Sequence, residues 1–105
     1  MGKLSIDGTV SVDFDDRLLA HLQLVIGAKL RRGESFHLTW RDEPEIGEGR
    51  TIVWIHPATP IQYRFDLAEK PQLNRAWLEA LTLSAASASG LELVPEPDER
   101  APQQR

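Results

Sequence analysis

The residues that could carry chemistry are few, and their spacing is uninformative. His21, His37 and His56 are the natural first candidates for a metal site or a general base. They fall on a predicted helix, mid-strand and at a strand end, and no two have the short spacing that brings ligands onto one ion. Each reads as a structural side chain. Asp13, Asp15 and Asp16 place three carboxylates together, a donor set suited to a hard cation. Helix capping explains them more simply, because a carboxylate accepts from the free N–H groups of a first turn and suits the positive end of its dipole. Neither phosphate-binding pattern, Gly-x-x-x-x-Gly-Lys-Ser/Thr or Gly-x-Gly-x-x-Gly, occurs, and Gly47-x-Gly49-Arg50 reads as a turn with a bulge. Ser35, Thr39 and Ser84 lack an elbow or a partnered base. Cysteine is absent, which removes thiol nucleophiles, thiolate metal sites and disulfides. No catalytic, metal-binding or cofactor-binding residue is assigned, and the reading leans away from an enzyme.

The cations are more suggestive. Lys29, Arg31, Arg32 and Arg41 gather around one predicted helix end and the strand after it, followed at once by Asp42, Glu43, Glu45 and Glu48. Two solvated patches are the simplest account. A net charge of −4 argues against a polyanion binder by bulk electrostatics. Lys29 is the exception to a simple surface. On a helix it lies about 20° from Leu18, inside the apolar stripe. Either its stem packs on Leu22, Val25 and Ile26 while the charge emerges at the helix end, or it forms an anion site with Arg31 or Arg32.

These residues must be positioned by elements that the pattern makes legible. Leu4-Ser5-Ile6 and Thr9 to Phe14 alternate on either side of Asp7-Gly8, a hairpin signal. A helix starting at Asp15 or Asp16 carries Leu18, Leu19, Leu22, Val25, Ile26 and Leu30 on one face, with Leu24 off it, and stops at Gly33. Ser35 to Arg41 alternates, with Phe36, Leu38 and Trp40 on one face and His37, Thr39 and Arg41 on the other. Thr51 to His56 is apolar on both faces, the pattern of a central strand. Ile61 to Leu67 alternates again. Asn74 caps a second helix with Trp77, Leu78, Leu81 and Ala85 at core spacing. Leu91 to Val94 is a short last strand.

The expected fold is α+β, in the order ββαβββαβ, with a largely antiparallel sheet and both helices packed on one face. Residues 1–94 form a single domain and 95–105 a disordered tail, rich in proline and charge. The N-terminus has no apolar run and no segment approaches a membrane span, so the expectation is a cytoplasmic protein without a membrane partner.

Several segments together resemble a known family. They are Asp15-Asp16-Arg17-x-Leu-Ala-His-Leu, Val25-Ile26-Gly27-x-Lys29-Leu30-Arg31-Arg32-Gly33-Glu34-Ser35-Phe36, Trp40-Arg41, Gly49-Arg50, Trp54-Ile55-His56-Pro57, Asn74-Arg75-x-Trp77, Gly90-Leu91 and Val94-Pro95-Glu96-Pro97. They resemble small actinobacterial proteins forming a domain-of-unknown-function family, whose members are often labelled ATP-dependent DNA ligase. The label implies nucleotidyl transfer through Lys-x-Asp-Gly. Here Asp7-Gly8 has Ser5 in the lysine position, and Lys3 lies two residues too early.

The remaining candidate is a surface. With Phe36, Leu38, Ile61, Tyr63 and Phe65 toward the helices, His37, Thr39, Arg41, Gln62 and Arg64 face out, joined by either Ile52, Trp54 and His56 or Val53 and Ile55. Lys29, Arg31, Arg32, His37, Arg41, Trp54 and Arg64 are the candidate binding residues. Such a face suits a protein partner, a second copy of the chain included, because Trp and Arg anchor interfaces. It could instead stack and neutralise DNA or RNA, or have no specific role.

Overall fold

The computed structural model describes residues 1–42, 47 and 49–98. The element order is the expected one: β1 (Gly2–Ile6), β2 (Val10–Phe14), α1 (Asp16–Arg31), β3 (Phe36–Arg41), β4 (Arg50–Ile55), β5 (Ile61–Arg64), α2 (Arg75–Ala85) and β6 (Leu91–Glu92). The α+β class holds. The strands are divided between two three-stranded sheets, ordered β2-β1-β5 and β4-β3-β6, rather than joined in one. The chain correspondingly forms two compact units, Met1–Ser35 with Ile55–Leu73, and Phe36–Trp54 with the residues from Asn74 onward.

In the first unit, β1 is central and antiparallel to both neighbours, with Leu4 opposite Val12 and Tyr63. Asp7 (φ 55°) and Gly8 (φ 68°) both adopt the left-handed conformation that a type I′ turn requires. The Thr9 N–H closes that turn on the Ile6 carbonyl at 3.1 Å. Helix α1 packs on β1 and buries Leu19, Leu22, Val25 and Ile26, residues of the expected stripe. Fully burying such a side chain stabilises the fold by about 2 kcal/mol.

Both ends of α1 depart from or refine the expectation. Asp15 is the N-cap residue but makes no side-chain cap hydrogen bond. Asp16, nearly buried, instead accepts from the backbone N–H groups of Asp66 (3.2 Å) and Leu67 (3.1 Å), tying the segment after β5 to the helix start. At the other end the Glu34 N–H reaches the Lys29 carbonyl and the Gly33 N–H reaches the Leu30 carbonyl, at 3.1 and 3.0 Å. That pair of bonds is a Schellman termination. Strand β5 stops at Arg64, so Phe65 and Leu67 belong to the connection after it.

In the second unit, β3 is central. Strand β6 runs parallel to it, with Leu38 opposite Leu91 and Thr39 opposite Glu92. Strand β4 is an edge, which corrects the expectation of a central strand; its apolar outward residues are exposed rather than covered. Helix α2 lies against β6 and buries Trp77, Leu81 and Ala85. Asn74 caps it as expected, accepting from the Trp77 N–H at 3.2 Å. The same Asn74 amide donates to Glu96 and to the Pro97 carbonyl, each at 2.9 Å, and the Trp77 indole N–H donates to the Val94 carbonyl at 2.9 Å. Val94 is thus held at the start of α2, and so are Glu96 and Pro97, which lie in the stretch that the composition assigns to a tail. Residues 99–105 of that expected tail, and Glu43, Glu45 and Glu48 of the acidic loop, lie outside the described residues.

Candidate functional site

The β3-β4 hairpin is fixed by two contacts. The Asp42 N–H donates to the Gly49 carbonyl at 3.0 Å, and the His37 and Trp54 rings meet edge to face at 4.8 Å and 63°. Both belong to one antiparallel register, in which His37 lies opposite Trp54. Alternation then sorts the side chains. Thr51 and Val53 share the inward face with Phe36, Leu38 and Trp40, and the Thr51 hydroxyl donates to Asp42 Oδ1 at 2.8 Å. His37, Thr39 and Arg41 share the outward face with Arg50, Ile52 and Trp54.

This outward face is unusually apolar for one open to water. Trp54 is 53% exposed and Ile52 50% exposed, side by side on one strand. His37, Arg41 and Arg50 are exposed around them. Thr39 alone is buried, because β3 is central and Glu92 of β6 lies beside it. Beside His37, Gly90 (φ +89°) turns the chain into β6 so closely that a Cβ there would sit 2.5 Å from the His37 carbonyl. Only glycine satisfies both that conformation and that approach.

The structure therefore brings His37, Arg41 and Trp54 together and resolves the alternative on β4 in favour of Ile52 and Trp54. Arg64 stands elsewhere, on β5, opposite Lys3 in the other sheet. Lys29, Arg31 and Arg32 stand at the end of α1. The Lys29 side chain is only 12% exposed, with Nζ 3.3 Å from Glu34. The Arg32 guanidinium grips the same carboxylate with two hydrogen bonds of 3.2 Å. Glu34 is held below the usual carboxylate range by Arg32 first and Lys29 second. Two of the three cations thus converge on an anion of their own chain; Arg31 is exposed.

The histidines divide as their positions suggest. His21 is fully buried with Nδ1 2.6 Å from the Arg17 carbonyl, so Nδ1 carries the proton. His56 Nδ1 accepts from the Ala58 N–H at 3.3 Å in the turn before β5. Among the described residues no group of three His, Asp or Glu side chains could hold a metal ion. Lys3 donates to Asp13 at 2.9 Å on the exposed face of β1, and Asp7-Gly8 is the hairpin turn described above. Neither has the surroundings of an adenylated lysine.

A recess was missed by pattern reading. A cavity of about 630 Å³ lies in the first unit between Ala20, Gln23 and Leu24 of α1 and the segment from Phe65 to Leu73. Its one signal in the sequence is Leu24, which falls off the apolar stripe and is 44% exposed. At its rim, Glu69 and Lys70 set opposite charges side by side.

Fold and face together define a small α+β module with an apolar, cation-bordered sheet surface. A family model, domain of unknown function DUF7882, matches residues 1–96, and the chain belongs to that family. No curated protein and no solved structure matches it. Among the described residues no helix is long and apolar enough to cross a membrane.

Proposed function

We propose that this chain is a cytoplasmic binding or accessory module, not itself an enzyme, whose β3-β4 face docks onto a protein surface. One observation carries the reading: Trp54 and Ile52 are half exposed together, with the Trp54 ring in edge-to-face contact with His37. An exposed indole already packed on a neighbouring ring has less side-chain entropy to lose on docking, and Trp and Arg dominate interface energetics. Arg41 and Arg50 border this centre, as polar residues rim an interface.

Nucleic-acid binding is the second reading, favoured by the same two arginines beside an aromatic ring. It fits less well. Ile52 offers no π face for a base, and Glu92 brings a carboxylate onto the same surface beside Thr39. A ligase-related activity finds no support in the surroundings of Lys3 or Asp7-Gly8.

Trp54→Ala with Ile52→Ala tests the reading. The double variant should keep its circular dichroism and lose association with protein, measured by sedimentation of the chain alone and with candidate partners. Binding of a single-stranded oligonucleotide that weakens linearly with log salt, and is lost in Arg41→Ala with Arg50→Ala, would move the assignment to nucleic acid. Nick sealing with ATP and a divalent metal would overturn both.

A further inference from the structure

We infer that the partner of this face is a second copy of the same chain, joined by antiparallel pairing of the two β4 edges about a two-fold axis at Ile52. The inference rests on the protein-docking reading above and names the occupant.

The first ground is the backbone. Gly49 directs its carbonyl at Asp42 of β3. Alternation along an antiparallel strand then turns the polar groups of Thr51 and Val53 toward β3, and those of Arg50, Ile52 and Trp54 toward the open edge. Among the described residues β4 pairs with β3 alone. A free edge of this kind is a template for another strand, and proteins that stay monomeric blunt it with lysine, proline, an inward charge, a bulge or a very short strand. Strand β4, Arg-Thr-Ile-Val-Trp-Ile, is six residues long and has none of these except Arg50 at its first position. The other sheet shows the contrast. Its edge β5 is only four residues long, and its edge β2 carries Asp13.

The second ground is self-complementarity. A two-fold axis perpendicular to the sheet keeps every side chain on its own face, so a residue can only lie opposite one of the same parity. With Ile52 opposite its own copy, Arg50 lies opposite Trp54 of the partner chain, and Trp54 opposite the partner's Arg50. All three pairs are of the hydrogen-bonded kind, because these are the residues whose polar groups face the edge. The guanidinium is thereby set against the indole twice in one dimer, a cation–π pairing across strands. The two Ile52 side chains meet between them. The result is a continuous six-stranded sheet in which the two Ile52 side chains touch across the new seam and each indole is flanked by the partner's Arg50.

Sedimentation equilibrium of the full chain, from low to high micromolar, should give twice the chain mass. Ile52→Lys should give a monomer with unchanged circular dichroism. Arg50→Ala and Trp54→Ala should each weaken dimerisation by about tenfold, because one cation–π pair is lost twice per dimer. Combining them should cost much less than the product, as expected for residues that act on each other. The chain has no native cysteine, so a single introduced thiol reports register directly. Ile52→Cys should oxidise to a covalent dimer faster than Val53→Cys, because only the former faces its copy at disulfide distance. Faster cross-linking at 53, dimers that survive Ile52→Lys, or independent effects of Arg50 and Trp54 would each overturn the pairing. A wild-type monomer at all concentrations would also overturn it. If such a monomer still bound a different protein through Trp54, the docking reading would stand and only the second copy would fall.

Discussion

The two sheets are built alike and finished differently. Each has three strands with a central one flanked by two edges. On the outward face of β2-β1-β5 the cross-strand neighbours are Lys3 with Asp13 and Arg64, and Ser5 with Ser11 and Gln62. Lys3 and Asp13 form an ion pair of 2.9 Å, and the Ser5 and Ser11 hydroxyls lie 3.3 Å apart. The groups on that face are polar, so covering it would gain little. On β4-β3 the equivalent positions hold Ile52 and Trp54, whose exposed area is stabilised only by being removed from water. Polarity at alternate positions therefore separates a polar sheet face from one that leaves apolar side chains in water.

The largest test of that contrast attacks the second sheet where β6 begins beside β3. Gly90→Val puts a branched side chain at a left-handed position and against the His37 carbonyl. We expect a loss of about 3 kcal/mol and a thermal midpoint lowered by more than about 10 °C. A midpoint that does not move would show that β6 adjusts freely and that the face is less fixed than its geometry implies.

A smaller loss should follow from ending the chain after Val94. Asn74, 2% exposed, then loses the acceptors provided by Glu96 and Pro97. Unsatisfied amide protons at a helix start cost about 1 kcal/mol, which lowers the midpoint of a domain this size by about 4–8 °C. Ending the chain after Asp98 should leave the midpoint unchanged, and equal midpoints for the two lengths would show that these bonds contribute nothing.

In the first sheet the expected effect is confined to high pH. Burial pushes the Tyr63 hydroxyl up to about 12. Its neutral form is favoured by the fold, so the stability it contributes is full below pH 10 and lost as pH rises through about 12. Tyr63 is the chain's single tyrosine, so the near-ultraviolet absorbance of phenolate reports it alone. Ionisation of the native protein at the ordinary value would show that β5 leaves the ring open.

The smallest effect concerns Glu34. Arg32→Ala should raise its titration toward the ordinary carboxylate range more than Lys29→Met does, because the guanidinium is the larger cause. The depressed value favours folding above the ordinary carboxylate range, and that contribution fades as pH falls through the lowered one. Arg32 and Glu34 are at the surface, so Arg32→Ala should not shift the thermal midpoint measurably. A larger shift from Lys29→Met would place the dominant interaction inside the apolar stripe of α1.

The sequence by itself determined most of what depends on neighbours along the chain, although the side-chain cap read at Asp15 is not formed. Period-2 and period-3.6 patterns located the six strands and two helices, Asp7-Gly8 announced its turn, and Asn74 announced its helix, because these signals arise within a few residues. Tertiary structure decided what depends on pairing between distant segments. Alternation shows which residues share a face, but not which strand lies beside which. Thr51 to His56 therefore read as a central strand when β4 is an edge, and Arg64 read as a companion of Arg41 when it lies on another sheet. The same limit hid the role of Asp16, whose carboxylate reaches the backbone of Asp66 and Leu67 some fifty positions away. Lys29 was legible as an anomaly from helical geometry alone; that Glu34 answers it was settled by the helix termination, which folds the chain back on its own last turn.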